Sequence, residues 1–439
     1  MPSNLSSTTF IAGRRRQLGY VERATAEADS PKLLLRNLAL LDPVSGTLSS
    51  GFEVLLAAGR IVEVSKGTIS DSEAFVLDLG GRTLMPGLVD LHMHILGETL
   101  PLAPAMLPSL LTARATNVML GMLARGFTTV RDAGGADHGH KRAVEMGYMT
   151  GPRLFVSGRV ISQTGGHGDS RSMADQRDPP LCCVTFPGIG RIADGVDEVR
   201  KAVREELRLG ADQIKVMAGG GIASQSDPID QLQYSMEELE AVVDECHRSN
   251  KYVMAHVYTA AGVQRCVSAG VRTIEHGNLI DEKTARQMAE AGTYLVPTLA
   301  VYQTIKESGK KLNFSDASIA KLDEIISVGA RSLELAQAAG VKIGFGTDVA
   351  RAPDQQSTEF LLRAQVQKPI DIIRSATTVS AEVLRQEGKV GVIRPGALAD
   401  LIAVDGNPLE DIGLLAGQGD HLSLIIAAGR VFKNSISEL

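Results

Sequence analysis

Tryptophan is absent, and aromatic residues make up only 4% of the 439-residue chain. A platform of stacked aromatics for single-stranded nucleic acid is therefore not expected. Positive charge is not in excess either. Against 45 Lys and Arg stand 51 Asp and Glu, a net charge of −6, which removes the electrostatic case for DNA or RNA. No run of eighteen apolar residues occurs, so no membrane span is expected. Cysteine is scarce: Cys182, Cys183, Cys246 and Cys266, with no CxxC. That spacing does not suit a zinc finger. Reduced thiols and a cytoplasmic setting are the expectation. The first 31 residues carry Arg14, Arg15 and Arg16 but no apolar segment after them, unlike a secretory signal. Glu22, Glu27 and Asp29 weigh against a transit peptide, leaving 1–31 as a loosely ordered tail available for subunit contacts.

What is present is the pattern of a large α/β protein. Short strands and turns run through "KLLLRNLALLDP" and "FEVLLAAGRIVEVS", and again through "ALADLIAVDG" and "LSLIIAAGRVFKN". The two chain ends, 32–84 and 390–439, are expected to form one small β-sandwich domain. "AAGRIVEV" and "AAGRVFKN" suggest two hairpins built alike. Between them, over 85–389, eight apolar runs alternate with helical patterns: "LVDLHMHI", "FTTVRDAG", "RLFVSGRVI", "ADQIKVMA", "YVMAHVYT", "RTIEHGNL", "TYLVPTLAV" and "VKIGFGTDVA". Eight strand–helix units in series predict a (β/α)8 TIM barrel. "SMEELEAVV" carries a capping box, Ser235 with Glu238. One loop is long, "SQTGGHGDSRSMADQRDPPLCCVTFPGIGRIADG", as a loop over a substrate would be.

In "GLVDLHMHIL" two histidines, His92 and His94, alternate in an apolar strand and so share a face. Two buried imidazoles are costly unless something uses their lone pairs. Lys215 in "QIKVMA", His256 in "MAHVY", His276 in "IEHGN" and Asp348 in "GFGTD" fall at matching strand ends. In a barrel these ends meet at one mouth, where active sites lie. His92, His94, His256, His276 and Asp348 supply five ligands, more than one catalytic zinc takes with a position left open. Two divalent metals are expected, and zinc suits His and carboxylate donors; cobalt and manganese stay open. A lysine desolvated beside cations can lose its proton. Its neutral amine can then add carbon dioxide, giving an N6-carboxylysine at Lys215 able to bridge the metals.

HxH, Lys, His, His and Asp on successive strands resemble the amidohydrolase superfamily in its binuclear, carboxylated-lysine form. The leading "LMPGLVDLHMH" and trailing "GVIRPGALADLIAVDGNPLED" extend the resemblance over nearly the whole chain. "SQTGGHGD", "DGVDEVRKAVREELRLGADQIKVMAGGGI" and "MAHVY" are similar to the branch of prolidases, Xaa-Lys/Arg carboxypeptidases and ochratoxin-degrading amidohydrolases. One departure is "ATTVSAE", at Ala376 to Glu382, where the family has ATxNAA.

The resemblance implies His92, His94 and Asp348 on one metal, His256 and His276 on the other, and a hydroxide between them. Asp348 and His276 are implied as catalytic, with Asp348 moving the proton. His167 in "GGHGD" and Tyr258, two residues past His256, are implied to hold the substrate's free carboxylate or to help polarise the carbonyl. Asp169 and an Arg131–Asp132 pair are weaker candidates. His138, His140, His247 and His421 are left outside the site. The expected reaction is hydrolysis of an amide to a C-terminal amino acid, in a small molecule or dipeptide, by a homo-oligomer. Ring opening of cyclic amides or ureas, and a non-catalytic scaffold that kept the fold, are the alternatives.

Overall fold

The computed structural model describes residues 32–97, 107–169, 171, 189–222, 227–311, 316, 319 and 322–436. The tail 1–31, Cys182, Cys183 and most of the long loop lie outside these residues. In chain order the strands are β1 (Leu33–Asp42), β2 (Thr47–Ala57), β3 (Arg60–Lys66), β4 (Phe75–Asp78), β5 (Thr83–Pro86), β6 (Leu88–Met93), β7 (Phe127–Asp132), β8 (Arg153–Val156), β9 (Val160–Ser162), β10 (Gly190–Ile192), β11 (Ile214–Met217), β12 (Val253–Thr259), β13 (Thr273–Leu279), β14 (Tyr294–Val296), β15 (Leu401–Val404), β16 (Leu422–Ala427) and β17 (Arg430–Asn434).

Strands from both chain ends share one hydrogen-bonded sheet, ordered β17-β16-β15-β5-β1-β2-β3, with β4 added along β1. The join is antiparallel, β15 against β5, with Leu401 opposite Pro86. The two like hairpins are present. Each turns at an Ala-Gly pair with positive φ, Ala58 and Gly59 in one, Ala428 and Gly429 in the other. Such turns follow the strand twist. The turns touch: a Cβ on Gly429 would fall 2.5 Å from the Gly59 Cα. Leucines, isoleucines and valines of β1, β2, β15 and β16 make the core of this sheet.

The central strands are parallel and run in two ladders, β6-β7-β8 and β10-β9-β11-β12-β13-β14. All six residues of β6 and of β7 are buried, as in a sheet covered on both faces. Helices follow the strands, among them Val196–Arg208, Met236–Arg248 and Glu282–Ala291. The Ser235–Glu238 capping box is formed. The eighth apolar run is not a regular strand but still connects the ladders. Leu295 N–H donates to Lys342 O at 3.1 Å, and Leu91 N–H donates to Phe345 O at 2.7 Å. Between β8 and β11, Asp212 N–H donates to Val156 O at 2.7 Å. These links are consistent with a barrel, though among the described residues the ladders do not merge into one ring of strands.

Two further departures have local causes. In "TYLVPTLAV" the strand stops at Val296, because Pro297 has no N–H to continue a ladder. Thr298 is left-handed, and a helix, Leu299–Ser308, begins. "ATTVSAE" starts in a π-helical turn, Ser375–Val379. There the Ser380 hydroxyl donates to Ser375 O and accepts from Phe345 N–H at 3.3 Å. A side chain inserted in the ladder widens the turn and ties it to the segment that ends at Asp348.

Candidate active site

His92 and His94 leave the end of β6 on one side, as alternation requires. Each has one ring nitrogen anchored. His92 Nδ1 lies 2.7 Å from Glu275 Oε2 and His94 Nδ1 lies 2.7 Å from Gly134 O. A carboxylate and a carbonyl only accept, so both Nδ1 atoms donate and both lone pairs sit on Nε2. Those Nε2 atoms face Asp348 Oδ1 at 3.8 Å from His92 and 3.5 Å from His94. Among the described residues, His92, His94 and Asp348 form a group whose ligand atoms lie within 4.8 Å of one another. Lys215 Nζ is 3.5 Å from His92 Nε2.

His276 comes from β13, its ring 5.0 Å from that of His92 and 4.5 Å from that of His256. Its Nδ1 is held by the hydroxyls of Thr298 at 2.7 Å and Tyr302 at 3.0 Å. His256 Nε2 is 3.3 Å from Gly220 O. All six expected ligands therefore converge. Three positions of the site are backbone outliers: φ is +74° at His276, +55° at Asp348 and +48° at Thr298. Such conformations are costly outside glycine and gather where function over-determines the backbone.

Burial sets the protonation of the cluster. It pushes His92, His256 and His276 well below the ordinary imidazole value, with nearby cationic groups adding to the effect. His94 falls to about 4, chiefly by burial. Neutral imidazoles offer the lone pairs a metal needs. Burial also lowers Lys215 and raises Asp348, which favours a neutral amine. Anchored, inward-facing imidazoles beside a carboxylate and a buried amine fit a divalent metal centre; they do not fit an unoccupied hydrophobic core.

The second group of residues sorts unevenly. The His167 ring stacks on His256 at 4.3 Å with 12° between planes, and its Nδ1 is 2.9 Å from Asp227 Oδ2. Tyr258 stacks on His276 at 5.0 Å and is only 3% exposed. Asp169 is not part of the cluster; it is tied to Arg171 at 2.6 Å. Arg131 and Asp132 are not a pair. The Arg131 guanidinium donates to Glu275 Oε1 at 2.7 Å and to Leu91 O at 2.6 Å. Asp132 instead accepts from the backbone N–H groups of Ile95, Gly134 and Ala136. Adjacent strand residues point to opposite faces, which explains the separation. His140 serves a helix cap with Asp137.

The sequence reading missed Glu275, Asp227, Thr298 and Tyr302. The one available signal was charge in an apolar run, as in "TIEHGN".

The amidohydrolase family matches residues 83–431. Aspergillus niger ochratoxinase is 34% identical over 366 residues, covering 80% of this chain and 75% of that one. A solved amidohydrolase is 51% identical with a TM-score of 0.90, over 92% of this chain and all (100%) of that one. A solved prolidase in complex with N-methylphosphonate-L-proline is 44% identical, also with a TM-score of 0.90 and coverage of 92% and 100%. No helix among the described residues is long and apolar enough to cross a membrane. By the family match and these likenesses, the chain is a hydrolase of the amidohydrolase family.

Proposed function

We propose that this enzyme hydrolyses the amide bond between an acyl group and a C-terminal amino acid, in an N-acyl amino acid, a dipeptide or an ochratoxin-like amide. The central strands are then a (β/α)8 barrel with the site at its C-terminal mouth. The observation that carries the reading is the convergence of His92, His94 and Asp348 within 4.8 Å, with Lys215, His256 and His276 beside them. His92, His94 and Asp348 would hold one divalent ion and His256 and His276 the other, with carboxylated Lys215 between; zinc suits this donor set. When bound, such ions lower the pKa of water and polarise a carbonyl.

The chain's own groups do the rest. Asp348 faces both His92 and His94 and can take a proton from the attacking water and return it to the leaving amine. Glu275, Gly134 and Thr298 hold the imidazoles in place. Tyr258 stays protonated, because burial pushes its hydroxyl above the ordinary range, so it can donate to a carbonyl or a carboxylate. His167 stands beside His256 to meet the amino acid's free carboxylate. Similarity to a prolidase and an ochratoxinase supports this substrate class. The test is a hydrolysis screen of N-acyl amino acids, dipeptides and ochratoxin A on zinc-loaded protein. Cleavage confined to cyclic amides or ureas would replace the reading.

A further inference from the structure

We infer that Asp227 is a positioning residue that fixes His167 for the substrate's free carboxylate, and so sets the preference for amides of free amino acids. The inference rests on the reading of His167 given above. His167 belongs to a glycine-rich loop, and a loop side chain has no intrinsic reason to keep one orientation. Here contacts from separate segments hold it. Its Nδ1 meets Asp227 Oδ2 at 2.9 Å, and the same oxygen accepts from Gly221 N–H at 2.9 Å. The His167 backbone N–H donates to Gln233 Oε1 at 3.0 Å. The ring lies flat on His256. Gly221 presses against it: a Cβ there would fall 2.0 to 2.4 Å from three ring atoms.

The Asp227 side chain is fully buried, at 0% exposure. Burying a carboxylate is costly unless donors reward it. These donors come from the His167 loop and from the segment after β11, so the carboxylate ties the two together. Because a carboxylate only accepts, the Nδ1 proton stays on Nδ1. Nε2 is then the ring atom left to meet a ligand, and its direction is set by the stacked plane. Asp227 touches no substrate itself; it acts through His167.

The test compares an N-acyl-phenylalanine with its C-terminal amide on metal-loaded, full-length protein. Wild type, His167→Ala, Asp227→Asn and the double variant are measured, with melting temperature and metal content on the same preparations. The wild type should prefer the acid. His167→Ala and Asp227→Asn should each reduce that preference about ten- to a hundred-fold, mainly through KM for the acid. The double variant should lose no more than His167→Ala alone, since one residue acts through the other. A wild type that cleaves acid and amide equally removes the carboxylate reading and this inference with it. If His167→Ala loses the preference and Asp227→Asn keeps it, the inference falls and the reading of His167 stands. Asp227→Ser, which keeps an acceptor for Gly221 N–H, takes the same test with the same outcomes if Asp227→Asn does not fold.

Discussion

Glu275 joins two buried groups: its Oε2 lies 2.7 Å from His92 Nδ1, and its Oε1 lies 2.7 Å from an Arg131 guanidinium nitrogen. All three side chains are at most 2% exposed. The carboxylate fixes the His92 proton on Nδ1 and balances a buried charge. Glu275→Gln should weaken metal retention about ten- to a hundred-fold, the usual effect of losing a carboxylate behind a ligating histidine. It should also destabilise the fold by about 3–5 kcal/mol, because Arg131 keeps its charge and loses its partner. Chelator competition and thermal melting read the two effects separately. Unchanged metal retention would show that Glu275 serves Arg131 alone.

Gly346 lies between His92 and β14. A Cβ there would fall 2.4 Å from Val296 Cγ1 and 2.9 Å from His92 Cβ. Neither neighbour is the free end of a flexible chain. Gly346→Ala should therefore push His92 off its position, with at least about a tenfold loss of kcat and an overpacking cost of about 1–3 kcal/mol. Wild-type kcat in this variant would mean that the segment before Asp348 yields without moving the ligand.

The six clustered residues were legible in the sequence because each is a polar residue in an apolar run. His92 and His94 also obey strand alternation. His276 does not. In the register of β12 on β13, His256 lies opposite Glu275, and Val257 lies opposite His276. Alternation alone would turn His276 away from His256. Its positive φ, +74°, accompanies the return of the ring to the cluster, and no residue type announces that. The eighth run was legible as apolar, but its pairing is an isolated bridge from Ile343 to Leu295 with single bonds at Lys342, Gly344 and Phe345, which no apolar run announces. Asp227 and Tyr302 were illegible for another reason. They reach the site from distant segments, and sequence spacing holds no record of which loop folds over which.

Glu359 gives a stability signal outside the histidine cluster. It is fully buried, accepts from Ala300 N–H at 2.7 Å, and sits one turn before Arg363. Burial raises it from an ordinary 4.5 to about 8, against the smaller opposing effect of Arg363. With the folded value above the unfolded one, the folded state keeps a proton that the unfolded state releases. The contribution to stability is thus full below about 4.5 and is lost as pH rises to about 8. Glu359→Gln, neutral throughout, should gain on the wild type in melting temperature as pH rises from 5 towards 8 (approximate limits of the titration window). A difference between the two proteins that stays flat with pH would contradict this.

Lys215 is 1% exposed and reaches His92 Nε2 at 3.5 Å. Unmodified, its ammonium would repel two cations. We expect two metal ions per chain in active protein, complete loss of activity on chelation, and a carboxylated Lys215. Lys215→Ala should bind metal more weakly and lose activity. Short carboxylic acids should restore part of it by replacing the bridging carboxylate. Elemental analysis giving one ion per chain in fully active protein would end the binuclear reading.

Tyr258 separates two ways of handling the substrate. Its ring stacks on His276 at 5.0 Å, and Tyr302 lies beside it at 6.2 Å between centroids. Tyr258→Phe keeps the stacked ring and loses only the hydroxyl, which shares a hydrogen bond with Tyr302, so metal content should be unchanged. If the hydroxyl holds the substrate's carboxylate, the variant should lose about ten- to a hundred-fold in kcat/KM for an N-acyl-phenylalanine, the worth of a hydrogen bond to a charged group. Its C-terminal amide should be affected far less. If the hydroxyl instead steadies the negative charge that develops on the scissile carbonyl oxygen, the loss should fall on kcat for acid and amide alike. The geometry favours the second outcome. Tyr258 stacks on the His276 ring and is almost wholly enclosed, whereas His167 sits in the loop and is 10% exposed at its side chain. We therefore expect Tyr258→Phe to lower kcat on both substrates. A loss confined to the acid, appearing in KM, would instead place Tyr258 with His167 in carboxylate recognition.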